Sequence, residues 1–155
     1  MTSNITYSVG HPEVCDVQDV YALCTRACLA VSEEYSQEDL LDQVDSLFYS
    51  EDYSKKILLL ALADGVPVGC LGGIKIPTHF LYGDRLVMEQ VLWVDEEYRN
   101  TRAANRLIKA YEKWAREIGA THIMLSDIHG DEKLQRVYKK KGYSLMETSF
   151  VKELN

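Results

Sequence analysis

The chain has 155 residues, 46% of them hydrophobic and 26% charged, with 24 acidic against 17 basic side chains and a formal net charge of −7. That is ample for one core and argues for a single domain over residues 1–155. The acidity argues against nucleic acid, whose binding rests on neutralising phosphates; no apolar run nears the roughly 18 residues of a membrane span; and without a signal-peptide pattern a cytoplasmic protein is expected.

In chain order, residues 7–9 read as a short strand. Asp16 then precedes Val17, Val20, Tyr21, Cys24, Cys28 and Val31, which follow the spacing of an amphipathic helix. Ser36 can cap a second helix carrying Leu40, Leu41, Val44, Leu47 and Phe48 on one side. The apolar runs 56–63 and 68–76 flank the turn signal Asp64-Gly65-Val66-Pro67 and predict a hairpin of largely buried strands. A loop over 77–84 leads into the strand Leu86–Val94 and then a helix over 103–118, stopped by Gly119. A strand over 122–126, a helix over 131–141 ending at Gly142, and closing strands near 143–146 and 149–152 complete the reading. The order β-α-α-β-β-β-α-β-α-β-β predicts an α/β domain with a mixed sheet covered on both faces.

Cys15, Cys24, Cys28 and Cys70 lie in apolar or helical surroundings without a C-x-x-C, which fits buried thiols in a reducing compartment. Cys24 and Cys28 share a helical face with His11 and Cys15 nearby, yet core cysteines are the expected role and no metal is expected.

The stretch 86–118 is the most informative, because an apolar strand runs through a basic turn into a long helix. A helix start leaves backbone N–H groups without intrahelical partners, and together with the helix dipole they favour phosphate. Arg99, Arg102, Arg106 and Lys109 concentrate positive charge there, against the sign of the whole chain. The plainer alternative is that these cations solvate a helix face.

The six residues Arg99-Asn100-Thr101-Arg102-Ala103-Ala104 and the later Tyr138-Lys139-Lys140-Lys141-Gly142-Tyr143 resemble, in order and spacing, two motifs of the GNAT superfamily of acyl-CoA-dependent N-acetyltransferases. The first is that family's Arg/Gln-x-x-Gly-x-Gly/Ala cofactor motif; the second is its Tyr-x-Lys-x-Gly-Phe/Tyr helix ending. Tyr98–Ala104 and Lys152–Leu154 are similar to small phage- and bacterium-encoded members, so a cytoplasmic protein is implied, in a host's cytoplasm if it is phage-encoded. The resemblance implies a mostly antiparallel central sheet flanked by helices, with acetyl-CoA as cosubstrate. Its pyrophosphate would lie on Arg99, Asn100, Thr101, Arg102, Ala103 and Ala104. Its pantetheine and acetyl group would lie along Leu92, Trp93 and Val94, between a splayed fourth and fifth strand.

Two residues depart from the pattern. Arg102 replaces the first motif glycine, which requires a backbone outside the left-handed region, and would add a phosphate contact. Asp131, where the family often has Asn near the cofactor, can cap a helix but cannot donate to pantetheine.

Acetyl transfer to an amine needs a neutral nucleophile, a stabilised oxyanion and a proton for the thiolate. The resemblance places Tyr138 as the general acid, with Tyr143 the lesser candidate. Glu89, the one acid inside an apolar strand, is a candidate general base acting through water, or else the partner of a cation such as Arg85 or Lys75. Gln90 points to the opposite face and could bond cofactor or core, and His129 is a loop histidine near the splay. Residues 1–64 carry 12 acids and 3 bases, and residues 65–155 carry 12 acids and 14 bases. Glu33, Glu34, Glu38, Asp39, Asp42 and Asp45 fall in the helices that the family sets beside its acceptor, so a cationic primary amine is favoured: a polyamine, a small or aminoglycoside-like amine, or a protein lysine or N-terminus. The competing readings are a catalytically inactive acyl-CoA-binding regulator and a host-interaction protein. A homodimer is compatible with the exposed aromatics Tyr53, Phe80 and Tyr82.

Overall fold

The computed structural model describes residues 7–32, 34–48, 52–99, 102–128 and 130–154. Glu33, Asn100, Thr101, His129 and the Phe48 side chain, all named above, lie outside the described residues. In chain order the elements are β1 (Tyr7–Gly10), α1 (Val17–Val31), α2 (Gln37–Phe48), β2 (Lys56–Ala63), β3 (Val66–Lys75), β4 (Leu86–Val94), α3 (Ala103–Glu117), β5 (His122–Met124) and α4 (Glu132–Lys140), with single 3-10 turns at Pro12–Val14 and Glu96–Tyr98. The chain divides into two compact units, Met1–Leu125 and Ser126–Asn155.

In the first unit, Asp64 and Gly65 both take positive φ, 50° and 84°, the conformation that a two-residue hairpin turn demands. The turn is therefore two residues, shorter than the expected four, and Val66 and Pro67 join the returning strand. Pro67 sits where the β2–β3 register shifts by one residue, a place that tolerates a missing donor. The sheet order is β1-β2-β3-β4-β5, antiparallel except for the β4–β5 pair, which the α3 crossover makes parallel.

Helices cover both faces, and this is why β2 reads as an unbroken apolar run. On one face Leu58, Leu60, Leu62 and Cys70 pack against Val20, Leu23 and Cys24 of α1 and Val44 and Leu47 of α2. On the other, α3 lays Leu107, Ile108 and Tyr111, all fully buried, across β1 to β4. Asp16 caps α1 by accepting from the Gln18 N–H at 2.8 Å, and the Ser36 hydroxyl accepts from the Asp39 N–H at 3.1 Å at the start of α2, as the sequence predicts. None of the described helices is long and apolar enough to cross a membrane.

In the second unit, Asp131 caps α4 by accepting from the Lys133 and Leu134 N–H groups at 2.9 and 3.4 Å. The helix closes at Gly142 with φ 92°, and the Tyr143 N–H returns to the Tyr138 carbonyl at 3.0 Å. The strands expected near 143–146 and 149–152 are absent among the described residues, and the strand expected over 122–126 is cut to His122–Met124. Alternating apolar residues supply propensity but not a partner, and without a ladder an extended segment is not a strand. Leu145, Phe150 and Val151 are accordingly exposed.

Candidate active site

The decisive local feature lies in β4. Against β3, Gly72 pairs with Val91 but Gly73 pairs with Glu89, so Gln90 is an extra residue, a β-bulge. The bulge has two consequences. Gln90 and Val91, consecutive in sequence, both line a cavity of about 400 Å³ between α1, α2 and the sheet. Glu89 lines no part of that cavity. It is 8% exposed and shares the register position of Gly73, whose missing Cβ makes room for Tyr111 of α3. Glu89 thus belongs to the α3 face of the sheet, and Gln90 and Val91 serve the α1–α2 cavity.

Beyond the bulge, β4 loses its outer neighbour. β5 pairs only with Leu86, Val87 and Met88, and no described strand pairs with that edge of β4 from Glu89 to Val94. Leu92, Trp93 and Val94 therefore sit where an extended chain with amide groups could add alongside the strand.

The end of β4 is fixed by a small charged cluster. Arg26 of α1 reaches Asp95 with two bonds, Nε to Oδ1 at 3.0 Å and Nη2 to Oδ2 at 2.9 Å, and the Trp93 indole N–H donates to Asp95 Oδ1 at 2.9 Å. This pairing with Asp95 raises the Arg26 pKa. Arg99 lies with its guanidinium carbon 4.6 Å from the Trp93 ring centroid and donates Nε to the Val94 carbonyl at 2.9 Å. One side of that guanidinium is spent on orienting the turn, leaving its terminal nitrogens for a ligand.

Arg102 occupies the N-cap of α3 with φ −86° and ψ 8°, outside the left-handed region, so an arginine stands there without the penalty that a glycine would avoid. Its own side chain makes no cap, and no acidic residue lies in the first turn of the 15-residue helix to oppose a bound anion. Ala103 is buried at the first position, and Arg106 and Lys109 are exposed. A helix start without an acid in its first turn, beside Arg99 and Arg102 and with the unpaired described edge of β4 leading to it, is electrostatically suited to an anion joined to an amide-bearing arm.

The other two named residues are on the second unit. Asp131 spends a carboxylate oxygen on capping α4. Tyr138 is buried, its hydroxyl donating to the Ser126 carbonyl at 2.9 Å and its ring 5.9 Å from that of Tyr143. Sequence reasoning did not find the cavity or the bulge, and it had no means to place Arg26 with Asp95, 69 positions apart in the chain.

Comparison with known proteins bears on these features together. No curated protein sequence matches the chain. Among solved structures, an aminoglycoside N-acetyltransferase, AAC(6')-Iy, in complex with a bisubstrate analogue of CoA, aligns with a TM-score of 0.75 at 15% identity over 99% of each chain. Glucosamine-6-phosphate N-acetyltransferase from Arabidopsis thaliana aligns at 0.70 and 13% identity over 97% of this chain and 99% of that one. Ribosomal-protein-alanine N-acetyltransferase from Brucella melitensis biovar Abortus 2308 aligns at 0.70 and 18% identity over 97% and 99%. The family model described as Acetyltransferase (GNAT) family matches residues 17–143, from the start of α1 past the end of α4, and the chain belongs to that family of acetyl-CoA-dependent N-acetyltransferases.

Proposed function

We propose that the protein transfers the acetyl group of acetyl-CoA to a primary amine that is cationic in solution, by direct attack of the neutral amine on the thioester. The C–N bond forms, the C–S bond breaks, the amine nitrogen loses a proton and the CoA thiolate gains one. The observation that carries the reading is the continuity of the β4 edge at Leu92, Trp93 and Val94, which no described strand pairs, with an α3 start that has no acid in its first turn and is flanked by Arg99 and Arg102. Acetyl-CoA supplies an activated acyl group with a good leaving group. The protein's part is to hold it and to manage two protons.

Arg99, Arg102, Ala103 and Ala104 would hold the pyrophosphate, with Asn100 and Thr101 of the same motif. The β4 edge would hold the arm and polarise the thioester carbonyl with a backbone N–H. Tyr138 is assigned the return of a proton to the thiolate, a task to which a phenol with an ordinary pKa of about 10 is matched. Glu89 would take the amine proton through a water relay, because its burial on the α3 face keeps it from direct contact with an acceptor in the cavity.

Calorimetric titration of acetyl-CoA into the wild type, Arg102→Ala and Arg99→Ala/Arg102→Ala tests the site. Arg102 is exposed and makes no cap, so its loss should weaken binding without disturbing the fold. Micromolar-range binding lost in the double variant, with thiol release on adding an amine panel, is expected. Folded wild type that binds no acetyl-CoA, or binds it and releases no thiol with any amine, overturns the proposal.

A further inference from the structure

The acids of α2 and the loop before it suggest a strongly cationic acceptor, but the cavity beside Gln90 has a different character. Six aliphatic side chains, Leu40, Val44, Leu47, Leu58, Ile74 and Val91, form most of its wall, with Tyr35, Ser36, Gln43 and Ser46 as the neutral polar residues besides Gln90. Of the acids in that region that the structure describes, Asp39 alone lines it. Asp45 is instead hydrogen-bonded by the Tyr21 hydroxyl, and Glu34, Glu38 and Asp42 are exposed elsewhere on the surface. The cavity also holds a cation, Lys56, whose ammonium donates to the Ser46 hydroxyl at 2.7 Å. Asp39 and Lys56 offset each other, so the described lining carries no net charge to gather a polycation.

Resting on the acetyl-transfer reading, we propose that this cavity seats the acceptor, and that the acceptor is a monoamine on an aryl or branched-alkyl body. Three features support that class over a polyamine or a polyhydroxylated aminosugar. A polyamine needs a carboxylate for each ammonium, and Lys56 would repel its second charge. A polyhydroxylated sugar would set some of its hydroxyls against the six aliphatic side chains, and each one not met by Tyr35, Ser36, Gln43, Ser46 or Gln90 carries a desolvation penalty. An apolar body instead gains free energy in proportion to the area it removes from water. At about 30 Å³ per water, 400 Å³ holds about a dozen non-hydrogen atoms, the scale of a small aryl-alkyl amine.

The bulge gives Gln90 a positioning role. It places the side-chain amide at the cavity, two residues before Leu92, where its carbonyl oxygen can accept from the acceptor's N–H. A glutamine cannot accept a proton, so it orients the amine and leaves proton removal to another group or to water.

The test compares kcat/KM for 2-phenylethylamine, isoamylamine, spermidine and kanamycin by CoA release, with acetyl-CoA binding measured on the same samples. In parallel, iodoacetamide labelling of Cys28, which lines the cavity, is followed by peptide mass spectrometry with and without 2-phenylethylamine. Cys15, equally half-buried but outside the cavity, is the internal control. The expected result is at least a tenfold preference for the two apolar amines, protection of Cys28 but not Cys15, and a KM for 2-phenylethylamine raised several-fold by Gln90→Ala with little change in kcat. Efficient acetylation of spermidine or kanamycin without protection of Cys28 overturns this inference while leaving acetyl transfer intact. Absence of acetyl-CoA binding, or of transfer to every amine, overturns both.

Discussion

Gly73 and Tyr111 compete for one volume: a Cβ built on Gly73 would overlap the hydroxyl end of Tyr111, against its oxygen, Cζ and Cε2, and that side chain is fully buried between α3 and the sheet. The glycine is there for contact rather than for conformation, since its φ is not positive. It lets α3 approach closely at the register position of Glu89, next to the bulge that turns Gln90 towards the cavity. Gly73→Ala should therefore destabilise the protein by about 1–3 kcal/mol, the usual range for overpacking. Gly83→Ala is not the right control, because Gly83 has φ 59° and any Cβ there is strained. A denaturant series on Gly73→Ala with an unchanged midpoint would show that Tyr111 can move aside.

Asp95 ties α1 to the end of β4 and collects donors from both Arg26 and Trp93. The Arg26 side chain is 47% exposed, so the ion pair itself is worth about 0–1 kcal/mol after solvent screening. Asp95→Ala should cost more than Arg26→Ala, because it also leaves the half-buried indole N–H without its acceptor, adding about 1–2 kcal/mol. The measurement is paired chemical denaturation of both variants. Equal losses would mean that the indole finds another partner.

Much of this architecture was legible in the chain. Asp16, Ser36 and Asp131 announced helix starts, and the apolar run of β2 announced burial on both faces. The basic turn after β4 stood out because it opposes the overall charge. The bulge was not legible: it depends on where β3 pairs with β4, and Glu89 and Gln90 give no local sign of which residue faces which helix. The closing strands failed for a related reason. Leu145, Phe150 and Val151 have the residue types of strands, but nothing in their own sequence provides the edge to pair with.

Asp131 offers its carboxylate to the first turn of α4, and that role should dominate its mutants. Asp131→Ala is expected to lose about 1 kcal/mol of helix stability, and Asp131→Asn much less, since Asn caps comparably. Helical content and thermal midpoint by circular dichroism distinguish the two. A rise in acetyl-CoA affinity for Asp131→Asn at unchanged midpoint would place the residue against the cofactor as well, since the amide adds the donor that the carboxylate lacks.

Tyr138 and Glu89 can be separated by their pH signatures. Tyr138 is buried and donates to the Ser126 carbonyl in a part-buried hydrogen bond, so Tyr138→Phe should cost about 0.5–1.5 kcal/mol of stability and leave the fold intact. If the phenol returns the proton, kcat falls by about 10²-fold or more and its alkaline limb disappears, because only the protonated phenol can donate. For Glu89→Gln, service as a base through water predicts loss of the acid limb of kcat/KM, since only the carboxylate form can accept. A lowered thermal midpoint with that limb intact would leave Glu89 as a core residue of the α3 face. The decisive comparison is a full pH–rate profile for both variants with 2-phenylethylamine, and unchanged turnover of Tyr138→Phe across pH would remove the assigned acid.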